Sequence, residues 1–145
     1  MSGLPRFELV PIERLRVHEE VDGREVRRLV EKLRRSRSVR EPLLVADGSF
    51  VILNGHHRFA ALREIGARRA PAWIVDYDDP AIELGRWTPG PPIPKSEVIS
   101  RGEEGRPFPP KTTKHTVRLE LVARPTPLAR LGIAPPRTGR PATTA

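Results

Sequence analysis

Five consecutive residues, Asn54-Gly55-His56-His57-Arg58, carry the densest set of reactive side chains in the chain. They follow a short apolar run, Ser49 to Leu53, and open a segment with helical spacing. Strand, glycine turn and helix start in that order point backbone N–H groups outward, and the helix N-terminus adds partial positive charge. Such a turn binds phosphate. Gly55 lets the backbone approach a ligand where a Cβ would obstruct. His56 and His57 add donors at the same spot, and Arg58 can grip two phosphate oxygens in a fork. The blander reading makes Gly55 a simple turn and the histidines exposed polar residues. Their clustering at a strand-to-helix junction favours a site. Adjacent histidines do not share a helix face, and with no cysteine in the chain a structural zinc site is disfavoured.

The elements that must position this turn belong to a chain of 145 residues, enough for one domain. A formal charge of +8 implies anionic partners: nucleic acid, nucleotide or a phosphorylated metabolite. Nearly all the positive charge is arginine, the lysines being Lys32, Lys95, Lys111 and Lys114, so part of it reflects arginine-rich coding. Absence of cysteine removes disulfides, thiolate metal sites and cysteine nucleophiles together. No apolar run approaches the ~20 residues of a membrane span, and Met1–Val10 shows no signal-peptide pattern. A cytoplasmic protein is expected.

Along the chain, Phe7 to Ile12 reads as an extended entry segment, with Pro11 favouring a sheet edge. Val17 to Glu20 is a loop. From Asp22 the spacing becomes helical, with Val26, Leu29, Val30 and Leu33 on one face and Arg24, Arg27, Arg28, Arg34 and Arg35 on the other. Asp22 and Glu25 form an N-cap pair by spacing. Pro42 to Val45 and Phe50 to Leu53 flank Asp47-Gly48 as a β-hairpin. The helix opened by the turn runs from about His56 to Ile65 and stops at Gly66. Ala70 to Tyr77 is a buried strand, with Trp73 in the core. Thr88 to Pro94 is a proline-rich loop, Lys95 to Gly102 a short helix. Lys111 to His115 reads as a polar cluster on a loop, ahead of a last half-buried strand at Val117, Leu119 and Leu121. The expected architecture is α/β (α+β), a small mixed sheet with helices over residues 1–122. Residues 123–145 are Pro/Arg-rich and expected to be largely disordered, with Leu128 and Leu131 adding a local contact.

Leu53 to Arg58, the hairpin before it and Gly66 to Pro71 after it resemble the ParB/sulfiredoxin-like superfamily. Val17-His18-Glu19, Asp76-Tyr77, Trp87 and Lys111-Thr112-Thr113-Lys114-His115 follow in the order found in its free serine kinases. The resemblance covers roughly Phe7 to Val122. It implies a kinase that phosphorylates the hydroxyl of free L-serine to O-phospho-L-serine, with ADP or ATP as donor and Mg²⁺. It also implies roles residue by residue. Glu19 matches the catalytic base, and Gly55, His56, His57 and Arg58 match the residues that hold the nucleotide phosphates. Trp87, Lys111, Thr113 and His115 match the pocket for serine and its product, Lys111 and His115 serving the carboxylate.

Asn54 stands where the family carries a catalytic aspartate that places the metal. Its carbonyl oxygen can reach a metal but brings no charge. The segment from Trp87 to Lys111 is also short beside a longer archaeal relative. The rival expectation is a ParB-like nucleotide- and DNA-binding regulator without kinase activity. Such proteins usually continue into a helix-turn-helix domain, for which the stretch after Asp76 leaves no room. Nucleic acid is therefore a secondary partner, through the arginine face of the first helix. Sulfiredoxin chemistry needs a cysteine at the turn and is excluded.

Overall fold

Strands with apolar residues on both faces must lie inside a sheet, and two such strands set the topology of this chain. The computed structural model describes residues 5–134. Its main sheet has the order β1-β5-β3-β4, built from β1 (Arg6–Pro11), β3 (Leu43–Ala46), β4 (Ile52–Asn54) and β5 (Arg69–Val75). The central pair, β3 and β5, runs parallel, with Leu44 opposite Trp73. Strands β1 and β4 flank it antiparallel. Pro11 ends an edge strand, where a missing N–H leaves no ladder bond unmade.

Period-two alternation divides the core in two. Leu43 and Val45 of β3, with Ala70, Ala72 and Ile74 of β5, face one hydrophobic cluster. Helices α1 (Gly23–Ser36) and α2 (His56–Glu64) cover it through Val26, Val30, Leu33, Phe59 and Leu62. Leu44, Ala46 and Val75 face a second cluster. That cluster is closed by α3 (Lys95–Glu104) and by a ribbon of β6 (Ile82–Arg86) and β7 (Thr113–Val117). Helix α3 lies tight against the hairpin because Gly102 has no side chain. A Cβ there would come within 2.6 Å of Val51 Cγ2.

Helix α1 starts where its spacing predicts, the Asp22 side chain accepting from the Arg24 N–H at 2.9 Å. Glu25 does not complete a capping box. It pairs with Arg28, and the Asp22 N–H is taken instead by His57 Nε2 at 3.0 Å.

Three expectations are corrected. Strand β6 lies in a stretch without a clear sequence pattern. It is half-exposed and gains its partner from a segment thirty residues away. The strand expected around Val117 begins at Thr113 as β7, so Thr113 and His115 sit on a strand, not a loop. Leu119 and Leu121 pack against the second cluster without strand pairing. The expected boundary at residue 122 also moves. β2 (Ser38–Val39) pairs with β8 (Thr126–Pro127), and Leu128 and Leu131 are buried in the first cluster. Residues 135–145, expected to be disordered, lie outside the described residues. Trp73 is half-buried, its Nε1–H donating to Val122 O at 3.1 Å.

Candidate active site

One cleft of about 1150 Å³ is lined by every residue singled out from the sequence: Glu19, Asn54, Gly55, His56, His57, Arg58, Trp87, Lys111, Thr113 and His115. Its floor is the turn between β4 and α2. Gly55 has φ 101°, and a Cβ there would lie 2.6 Å from Leu43 Cδ2 and 2.7 Å from Arg58 Nη1. Glycine is required on both counts. The first α2 backbone bond is Phe59 N–H to Gly55 O at 2.8 Å. The N–H groups of residues 56–58 therefore lie ahead of the helical ladder. Arg58 Nη1 is buried with no hydrogen-bond partner. An orphaned guanidinium nitrogen beside a helix start fits an anion.

Each of the two histidines of the turn accepts a backbone N–H from the loop ahead of α1. His56 Nε2 accepts the His18 N–H at 3.2 Å, and His57 Nε2 accepts the Asp22 N–H. Both therefore clasp the 18–22 loop through Nε2. Burial first, then the neighbouring rings of His18, His115 and His57, holds His56 well below the ordinary imidazole value, so it carries no charge at neutral pH.

That loop delivers Glu19. Arg16 bridges to the hairpin through Arg16 N–H to Phe50 O (3.0 Å) and Ile52 N–H to Arg16 O (2.8 Å). On its other side, Phe108 N–H donates to His18 O and Glu20 N–H to Phe108 O, both at 2.8 Å. The carboxylate is then held by three donors. Lys111 N–H reaches Oε2 at 3.1 Å, while Thr113 N–H and Thr113 Oγ1–H reach Oε1 at 2.9 and 2.7 Å. Lys111 adopts the left-handed region, φ 59°, to present its amide. Strain of that kind is kept where surrounding contacts demand it.

The opposite wall is the end of the β6–β7 ribbon. Trp87 follows β6 and is 60% exposed, with Lys114 Nζ 4.8 Å from its ring centre. Thr113 is buried and spends its hydroxyl on Glu19 and His18, so it supports the carboxylate instead of standing free for substrate. His115 Nε2 is 2.7 Å from Tyr77 OH. Burial first, then His18 and Lys95, push His115 down to about 3. It is uncharged at neutral pH and so offers no positive charge to the cleft. Burial raises the Tyr77 phenol, keeping its proton in place.

Sequence reasoning missed His18 and the third wall. His18 is wholly buried, between Ile52 O (2.7 Å) and Thr113 Oγ1 (3.0 Å). Nothing short of the tertiary contacts distinguished it from a loop histidine. Leu29, Lys32 and Leu33 of α1, with Val39, Arg40 and Glu41, form a part-apolar wall. Lys32, Arg40, Arg58, Lys111 and Lys114 outnumber Glu19, Glu25 and Glu41 around the cleft, giving it a positive balance. Asn54 is exposed at the end of β4.

These features define a small mixed α/β protein with the fold of the free serine kinases. A free serine kinase variant bound to AMP superposes with TM-score 0.79 at 16% identity, over 90% of this chain and 95% of that one. In sequence the chain is related to curated L-serine kinases. An ATP-dependent L-serine kinase of Staphylothermus marinus is 34% identical over 85 residues, 56% of this chain and 34% of that protein. An ADP-dependent L-serine kinase of Thermococcus kodakarensis is 28% identical over 99 residues, 66% of this chain and 41% of that protein. A ParB-like protein of Sulfolobus acidocaldarius is 37% identical over 82 residues, 57% and 41% of the two chains. The matched regions span only about a third to two fifths of these relatives. No family model matches the chain. Among the described residues no helix is long and apolar enough to cross a membrane.

Proposed function

We propose that the protein transfers the terminal phosphoryl group of ADP or ATP to the hydroxyl of free L-serine, giving O-phospho-L-serine. One observation carries this reading: a carboxylate held by three donors faces the same cleft as a phosphate-type turn with an orphaned arginine nitrogen. Phosphoryl transfer needs little else from a protein than a positioned hydroxyl, a base and positive charge at the phosphates.

In this reading the turn residues Gly55 to Arg58 take the phosphates, through the free α2 amides and Arg58. Leu29, Leu33 and Val39 offer an apolar surface to the nucleoside. Lys111 holds the serine carboxylate, and Trp87 with Lys114 covers the substrate end. Glu19 accepts the proton of the serine hydroxyl as its oxygen bonds to phosphorus and the bond to the departing nucleotide breaks. Among the described residues no three His, Cys, Asp or Glu side chains gather into a metal cage. Mg²⁺ would be held by the Asn54 side-chain oxygen, which is exposed at the cleft, and would supply charge neutralisation there.

The test is phosphoserine formation by purified protein with L-serine, Mg²⁺ and either ADP or ATP. Wild-type product that drops by at least about 100-fold in Glu19→Ala supports the reading, since a general base contributes ~10²–10⁴. The preferred donor emerges from the same assay. Activity in Asn54→Asp alone would mean that the missing charge disables the wild type. Silence in both would turn the assignment toward nucleotide-dependent DNA binding. The exposed arginines of α1 and the ParB-like relative favour that second reading.

A further inference from the structure

The hydrogens around Thr113 do not suffice for the acceptors it faces. Ile52 O can only accept, so the hydrogen on His18 at this contact belongs to Nδ1. Burial lowers His18 below the ordinary imidazole value, against smaller opposing contributions from Ile52 and Glu19, so the neutral ring prevails near pH 7. A neutral ring with hydrogen on Nδ1 leaves Nε2 as an acceptor. Thr113 Oγ1 stands 3.0 Å from that Nε2 and 2.7 Å from Glu19 Oε1, yet has one hydrogen to give. Two acceptors compete for it. A single added proton satisfies both: with it on Glu19 Oε1, the carboxyl donates to Thr113 Oγ1 and Thr113 donates to His18 Nε2.

We infer that Glu19, Thr113 and His18 form one hydrogen-bonded chain that is a proton short at rest and is completed by the proton leaving the substrate hydroxyl. This rests on the kinase reading for the source of the proton. Atoms balance: the serine O–H bond breaks, its proton binds the Glu19 carboxylate, and the Thr113 hydrogen swings from Glu19 to His18 without leaving its oxygen. Thr113 and His18 are positioning residues. His18 draws the Thr113 hydrogen away from the resting carboxylate and so keeps Glu19 an effective acceptor.

The surroundings fit an uncharged chain end. His18 faces the His56 ring edge-on at 4.5 Å from α2 and the His115 ring at 5.9 Å from β7, with Tyr77 and Lys95 behind His115. The Phe108 ring closes another side at 6.4 Å, with Arg101 stacked on its outer face. Glu19 on its own loop is the one carboxylate in the group.

The experiment compares kcat/KM against pH for wild type, His18→Asn, Thr113→Val, Thr113→Ser and the double variant. His18→Asn keeps a donor for Ile52 O but removes the Nε2 acceptor, so Thr113 donates wholly to Glu19. Its acid limb should move to lower pH by roughly 0.5–1 unit and its plateau should fall. Thr113→Val removes that donor, so its limb should move the opposite way by a similar amount. Thr113→Ser should restore the wild-type limb. The double variant should match Thr113→Val, because His18 acts only through the hydroxyl. Limbs that stay in place while rates fall, or that move in one direction for both variants, would overturn the chain. Nitrogen-15 NMR of the wild-type histidines decides the resting state without any turnover. Hydrogen on His18 Nδ1 alone at pH 7 is expected, and an imidazolium there overturns the inference. Silence in both wild type and Asn54→Asp would refute the kinase reading, while the NMR result still judges the proton count.

Discussion

The turn at residues 54–58 and the histidine-lined chamber behind Glu19 face the same cleft but are built in opposite ways. The turn is five consecutive residues whose shape comes from a glycine in the left-handed region and from the start of a helix. The chamber joins His18, Glu19, Ile52, His56, Thr113 and His115, with partners up to 95 positions apart. The turn keeps an unpaired cationic nitrogen for a ligand. In the chamber the three imidazoles are held neutral and the polar atoms are turned on one another. A binding surface can be local because the backbone supplies its donors. A carboxylate fixed by three donors must be held from several directions, so its surroundings are assembled from distant segments.

Acid should break the chamber first, with the largest effect. His18, His56 and His115 are all lowered by burial, His115 to about 3. As pH falls through about 6.5 the unfolded chain takes up protons that the folded chain refuses. The unfolded state then binds more protons, so stability is complete above about pH 6.5 and lost below it. The slope is at most ~1.4 kcal/mol per pH unit for each histidine. Urea midpoints at pH 7.5, 6 and 5 should fall in that order; a flat series would show that the chamber opens to water.

Gly55→Ala should break the turn and spare the chamber. The substitution forces a side chain into the left-handed region, costing about 1–2 kcal/mol, and against Leu43 and Arg58. Nucleotide KM should rise about tenfold or more, while the acid limb of kcat/KM stays in place. A limb that moved with Gly55→Ala would mean that the two regions are one unit.

The smallest expected effect lies at the seam between them. Asp22 caps α1 with its side chain and donates its N–H to His57. Asp22→Ala should lower unfolding free energy by about 1 kcal/mol, the usual worth of an N-cap. Nucleotide affinity should be near wild type, since the backbone N–H to His57 survives. His57→Ala removes that clasp and should loosen the Glu19 loop, read as a lower kcat with little change in melting temperature.

Much of this molecule was legible from residue order. The hairpin about Asp47-Gly48, the Asp22 cap, the two long helices and the glycine turn each follow from neighbours within a few positions. Strand β6 was not legible, because its residues are half-exposed and its partner lies beyond two loops. Within the loop expected at Lys111–His115, Thr113 to His115 joined a strand for the same reason. The burial of Leu128 and Leu131 depended on a gap in a core that a local reading cannot see.

The same division runs through the site. Sequence determined the chemistry on offer: a glycine turn opening a helix, an arginine in its first turn, a glutamate ahead of the first helix and no thiol anywhere. Tertiary structure decided how those groups are used. It bonded His56 and His57 to the 18–22 loop, brought the Thr113 hydroxyl onto Glu19, and buried His18 between Ile52 and Thr113. The reason is physical. Backbone conformation and helix polarity are properties of adjacent residues, whereas burial, and the hydrogen-bond partners that burial makes obligatory, exist only once distant segments have packed together.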